Sequence, residues 1–263
     1  MNKQTFLNYF LNVPVSINNL YGDPFFSIQK ENTFNKLDDL TKTNHQGIVG
    51  IITKSEIDDK EIERLKKFSK KLNLIILVSC SELPYSIEKV KGDRYKTLSR
   101  CVNAGIPVIA YVRPFIPKVN TQREIIEKMF EKIYNTGCKR IVVSGLRGTD
   151  EILTESNIEK SELKDWSLRV KIMPSDVKDY IHEFSQKYNL IVYDRTSCGI
   201  SAELGLPNSY NPYYHSPQLA KCSKCELKKT CFDKQHLFVP SQEDINFIKL
   251  LGYNPKIVNE NQL

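Results

Sequence analysis

Between residues 221 and 231 the chain reads KCSKCELKKTC, which puts Cys222, Cys225 and Cys231 on one short polar segment. Cys198 lies upstream, so the full spacing is Cys-x23-Cys-x2-Cys-x5-Cys. A CxxC pair brings two sulfurs to one metal from a tight turn, and two further thiolates complete a tetrahedral set. Four thiolates are soft ligands that suit either Zn²⁺ or a [4Fe–4S] iron–sulfur cluster. Lys221, Lys224, Lys228 and Lys229 surround the thiolates and would offset the negative charge of either centre. The plainer reading is a set of unligated surface thiols, but clustered exposed thiols oxidise readily. His215 and His236 are alternative ligands that a four-thiolate set does not need. The other three cysteines, Cys80, Cys101 and Cys138, lie in or beside apolar runs and read as buried small hydrophobes.

A second group of polar residues stands at the ends of apolar runs. Lys54 follows GIVGIIT, Ser79 ends NLIILVS, and Arg113 lies inside VIAYVRPF. A lysine at the end of a buried strand is costly without a partner, and Asp23 or Glu82 could supply a salt bridge. A guanidinium at position 113 suits a phosphate or a carboxylate, with an internal ion pair as the alternative. Asp194 and Arg195 could pair across a rim. The SGLRGTDE loop around Arg147, with Gly145 and Gly148, could cradle an anion or be a plain turn. Tyr210, Tyr213 and Tyr214 could stack on a base or pack their segment against the rest.

The elements that must position these residues follow from periodicity. Apolar runs at 13–18, 47–53, 73–79, 106–115, 138–146, 168–173 and 189–195 read as strands. Between most of them lie amphipathic stretches that read as helices, one with Gly105 as its C-terminal stop. Strands spaced this way imply βα units and a parallel sheet. Neither GxGxxG nor GxxxxGK[ST] follows the first strand. The expected fold is therefore α/β, a TIM-like parallel βα barrel or partial barrel, with its chemistry at the C-terminal strand ends. The pattern stops at about residue 198. Residues 1–197 are expected to form the barrel, and 198–263 an irregular metal-binding extension closed by a capped helix over SQEDINFIKLLGYN.

Composition bounds the partners. The formal charge of +7 comes mostly from lysines scattered over helical stretches, which read as solvated faces, so nucleic acid is only weakly supported. No apolar run approaches the ~20 residues that span a bilayer. The N-terminal stretch lacks a signal-peptide pattern, and the cysteines do not form a disulfide framework. The expected location is the cytoplasm.

Several segments together resemble the radical S-adenosylmethionine (SAM) superfamily, in particular its spore-photoproduct-lyase-like branch. They are YGDPF at 21–25, the Thr53-Lys54-Ser55 triplet, Ser79 with its polar loop, Arg94 ahead of AGIPV, and Pro114-x-x-Pro117. The resemblance spans roughly residues 13 to 200. It implies that Lys54 pairs with the carboxylate of SAM. It also implies a CxxxCxxC loop after the first strand, holding a [4Fe–4S] cluster, yet no cysteine precedes Cys80. The C-x2-C-x5-C run resembles part of the auxiliary-cluster extensions of some members.

Two functional expectations stand. One is an atypical radical-SAM-like enzyme with a displaced iron–sulfur centre and SAM bound by Lys54, Ser79 and Arg113. The other is a non-catalytic barrel with a structural zinc that binds a small anionic or zwitterionic ligand, a nucleic acid or a protein partner.

Overall fold

The run LIILV at 74–78 is apolar at every position because both faces of the strand are covered, the signature of a buried parallel sheet. The computed structural model of the protein describes residues 13–17, 22–90, 92–146, 153–154, 173, 175–208, 231 and 246. Strand β1 (Val15–Ile17) is followed by helix α1 (Lys30–Lys42), and β2 (Ile48–Thr53) by α2 (Asp59–Ser69). Then come β3 (Asn73–Ser79), α3 (Arg94–Ala104), β4 (Val108–Phe115) and α4 (Arg123–Asn135). The last elements are β5 (Arg140–Gly145), α5 (Ser175–Lys187), β6 (Ile191–Tyr193) and α6 (Thr196–Leu204).

The strands form one parallel sheet in the order β1-β2-β3-β4-β5-β6. That order has no reversal point, so it is the arrangement of a partial βα barrel rather than a doubly wound sheet. Local signals set the helix ends. Asp58 and Glu61 form a reciprocal capping box at the start of α2. Asp93 accepts from the backbone of Tyr95 and Lys96 at the start of α3. Gly105 ends α3 at φ 69°, a conformation that a residue with a Cβ adopts only at a cost. No helix among the described residues is long and apolar enough to cross a membrane.

Side-chain alternation divides the core in two. Val49, Ile51, Ile76, Val78, Ala110 and Val143 face an outer layer that includes Phe34, Leu65, Leu98, Met129 and Phe184 from α1 to α5. Ile48, Ile75, Leu77, Ile109 and Val142 face the other way and pack against Ile200 of α6. The helix after β6 thus lies on the inner face, the side a barrel turns toward its axis. Gly199 permits the approach, because a Cβ there would stand 2.6 Å from a methyl carbon of Val142. An ion pair between Arg140 and Glu203 at 2.9 Å ties the far end of α6 to the start of β5.

This corrects the expectation that regular structure ends near 198, since α6 carries it on to Leu204. The helix hides from periodicity because TSCGISAEL is covered on its apolar and small-residue surfaces alike. The strand expected at 168–173 and the terminal helix fall outside the described residues, apart from Met173 and Asn246. Most of the SGLRGTDE loop and the three tyrosines also lie outside them.

Candidate functional site

Lys54 follows the last residue of β2, and its surroundings are built from three segments. Asp23, from the loop after β1, accepts from the Thr53 hydroxyl at 2.7 Å and from the backbone amides of Phe25 and Lys54. That ties the start of the chain to the end of β2. The Lys54 ammonium lies 2.9 Å from Glu88, whose side chain is only 4% exposed. Arg94, the first residue of α3, also pairs with Glu88 and donates through Nε to the Lys54 carbonyl at 3.1 Å. Burial pushes the Lys54 ammonium below its ordinary value, the Arg94 charge adds to that, and Asp23 opposes it. A rim salt bridge was one reading of Lys54, with Asp23 or Glu82 as partner. The partner is Glu88, while Glu82 instead pairs with Lys132 at 2.8 Å and accepts from Tyr95.

The inner face of β3 and β4 holds a different group. Ser79 pairs in register with Tyr111, and alternation puts both on the side of Leu77 and Ile109. Ser79 is 2% exposed and its hydroxyl has no hydrogen-bond partner among the described residues. Arg113, two residues past Tyr111, lies where the β4–β5 register shifts between Val112 and Phe115. Its Cζ stands 4.8 Å from the Tyr111 ring centroid. Its Nη1 donates to the Tyr111 hydroxyl and, at 2.9 Å, to Thr196 Oγ1. The two hydroxyls are themselves 3.1 Å apart. The internal ion pair considered for Arg113 is not found among the described residues. No hydrogen bond or ion pair among them joins Lys54 to Ser79 or Arg113, so the three proposed ligand-contacting residues fall into two groups.

Thr196 opens α6, and Cys198 sits in the same first turn. Asn208, four residues past the end of the helix, turns back onto this turn. Its side-chain amide donates to Cys198 Sγ at 3.6 Å and to Ser197 Oγ at 3.1 Å. Its backbone amide donates to Cys231 Sγ at 3.4 Å. Two sulfurs 33 positions apart in the chain therefore share one residue. Cys222 and Cys225 lie outside the described residues. Cys80, Cys101 and Cys138 are buried as expected. Burial pushes the Cys101 thiol up to about 12 and the Cys138 thiol up to about 11, so neither offers a thiolate at neutral pH.

No protein-family model matches the chain, and a search of curated proteins finds no match. Solved structures with a similar course of the chain do exist. A domain of pyruvate-formate lyase-activating enzyme from Bacteroides vulgatus is 13% identical, with a TM-score of 0.49, over 69% of this chain and 98% of that one. SuiB from Streptococcus suis bound to S-adenosylmethionine is 15% identical, with a TM-score of 0.47, over 77% of this chain. SuiB bound to its precursor peptide SuiA is 14% identical, with a TM-score of 0.44. This chain spans 44% of SuiB in both complexes.

Sequence reasoning found the two cysteines that the described residues bring together. It missed Glu88, Tyr111, Thr196 and Asn208. Tyr111 had a signal, since i and i+2 of one strand share a face with Arg113. Thr196 had another, as the polar residue between a strand end and Cys198. Glu88 and Asn208 carried none, because Glu88 reaches Lys54 34 positions before it and Asn208 reaches Cys231 23 positions after it.

Proposed function

We propose that this chain is a radical-SAM-like partial barrel with a four-thiolate metal centre beside the C-terminal ends of its strands. Cys198, Cys222, Cys225 and Cys231 are its ligands. The strand ends bind a small anionic or zwitterionic ligand, SAM foremost, through Ser79 and Arg113, with Lys54 reaching it only by exchanging Glu88. The observation that carries the reading is Asn208, which donates to the sulfurs of both Cys198 and Cys231. N–H groups aimed at sulfur are what a metal-bound thiolate accepts, and they tune such centres. Cys198 also lies in the first turn of α6, where the helix dipole favours a thiolate. A [4Fe–4S] cluster there would supply one-electron chemistry; zinc would supply a fixed tetrahedral anchor.

The loop after β1 does not fit the cluster of the resembled family. The loop has no cysteine, and its Asp23 is committed to Phe25, Thr53 and Lys54. No SAM-cleaving step is assigned to it. That misfit, with the Lys54–Glu88 pair, favours a second reading: a non-catalytic barrel with a structural zinc that binds a ligand, a nucleic acid or a protein.

Metal analysis of anaerobically purified protein separates the two. Iron with matching acid-labile sulfide supports the first, and one zinc per chain without iron supports the second. Alanine at any one of the four cysteines should lower metal content. Full metal content in Cys198→Ala or Cys231→Ala would remove that residue from the ligand set.

A further inference from the structure

Arg113 is a half-buried cation without a carboxylate among the described residues, in a setting that offers donors and few acceptors. Its Nη1 spends its two hydrogens on Tyr111 and Thr196. Among the described residues Nε and Nη2 have no partner, so the fork that grips an oxyanion in two parallel bonds remains available. The Tyr111 and Thr196 hydroxyls share one hydrogen between them and have one left over. The first turn of α6 has no side-chain cap, so its backbone N–H groups and the positive end of its dipole add to the same field. Independent of that helix end, the Ser79 hydroxyl on the neighbouring strand, level with Tyr111, is buried and unpartnered among the described residues. A buried hydroxyl without a partner is unfavourable by itself, and an oxyanion oxygen would satisfy it.

The backbone beneath Arg113 is held in place. Its amide donates to Ser81 Oγ at 3.1 Å, and its carbonyl accepts from the same hydroxyl. Asn120 in turn donates to the carbonyls of Ser81 and Pro114 at 2.6 and 3.0 Å. The guanidinium therefore projects from a fixed base, and little ordering is left for a ligand to induce.

We propose that Arg113, Thr196, Tyr111 and Ser79, with the first turn of α6, form an oxyanion site on the inner face of the sheet, distinct from the Lys54–Glu88 pair. This deepens the ligand-binding reading above and rests on it for the place of the ligand. The group bound is a phosphate of a phosphorylated ligand or the carboxylate of an amino-acid-like one such as SAM.

The test is calorimetric titration of the metal-loaded protein with inorganic phosphate, with SAM, and with decarboxylated SAM. Arg113→Gln should weaken binding of the active probe by about tenfold or more, the loss of charge-assisted hydrogen bonds. Arg113→Lys keeps the charge without the fork and should fall between. Lys187→Ala, which removes the same charge from the exposed face of α5, should stay within about twofold at any salt near physiological strength. Phosphate binding that needs Arg113 identifies a phosphate ligand. Binding of SAM alone, weakened equally by Arg113→Gln and by loss of the carboxylate, identifies a carboxylate ligand. No binding of any probe, or equal binding by wild type and Arg113→Gln, overturns the proposal. So does an Arg113→Gln protein that loses metal but not anion affinity, because the guanidinium then serves the cysteine centre. Arg113-dependent phosphate binding in a protein that holds no metal would instead sink the metal-centre reading and leave this site standing. Circular dichroism on each variant confirms that it folds.

Discussion

Two cations at the strand ends meet opposite fates. Lys54 shares Glu88 with Arg94, so its charge is answered within the chain, while among the described residues Arg113 meets the hydroxyl and ring of Tyr111 and the hydroxyl of Thr196 but no carboxylate. Glu88 Oε1 accepts from Arg94, while Oε2 lies 2.9 Å from the Lys54 ammonium as an ion pair without a hydrogen bond. His45 shows the opposite economy of charge. It precedes β2, is 3% exposed, and its Nε2 has no partner. Burial pushes the imidazole below the ordinary value, and a hydrogen bond to the Val13 backbone opposes this only in part. The unfolded chain then takes up a proton that the fold refuses. Stability is complete above about pH 6.5, the unperturbed histidine value, and falls as pH drops below it. Melting temperatures between pH 7 and pH 5 should decline, and His45→Asn should flatten that decline. An unchanged slope in the variant would assign it to other groups.

At the scale of elements, α6 is the part that sequence patterns did not reveal. Strands β2 to β5 were legible because their apolar runs answer to burial on both faces, and α2 to α5 because an outer helix has one wet side. Helix α6 has no such contrast: Gly199, Ile200, Ser201 and Ala202 are all buried, so small and apolar residues alternate without a period. Its place depends on Gly199. Alanine there would force its Cβ to within 2.6 Å of a Val142 methyl carbon, on a short side chain with no room to turn aside. Gly199→Ala should destabilise the protein by about 1–3 kcal/mol, the usual cost of overpacking. It should also weaken metal retention, since Cys198 rides on the same turn. Adding Val142→Ala should recover part of both losses, so that the double variant is more stable than the sum of the singles predicts. Simple additivity in denaturant melts would mean that α6 does not press on β5 there. The CxxC pair of the proposed centre, Cys222 and Cys225, lies outside the described residues. Asn208 was not legible, because its partners are Cys198 and Cys231, ten positions before it and 23 after it.

For the whole molecule, the outer core and the cysteine site draw on different residues. The larger hydrophobic cluster joins the sheet to α1 through α5 and contains neither Cys198 nor Cys231, the two proposed ligands among the described residues. The proposed cysteine centre would attach to the inner face through Cys198 of α6, with Asn208 donating to Cys198 and Cys231. Metal binding is coupled to the folding of whatever it ties together, so removing the metal should loosen one part and spare the other. The expectation is regional hydrogen exchange. In chelator-treated protein, or in Cys222→Ala/Cys225→Ala, amides from about 196 to 208 and around 231 should exchange faster, by tenfold or more if at least about 1.4 kcal/mol of local stability is lost. Amides of β2, β3 and β4 should keep most of their protection, because α1 to α4 still cover their outer face when the inner-face packing against Ile200 of α6 loosens. Uniform acceleration across the sheet would mean that the centre holds up the whole fold. No change around 196–208 would mean that Asn208 and the packing of Gly199 suffice to hold α6 without a metal. The middle outcome is the one that the division of the core between the two faces of the sheet requires.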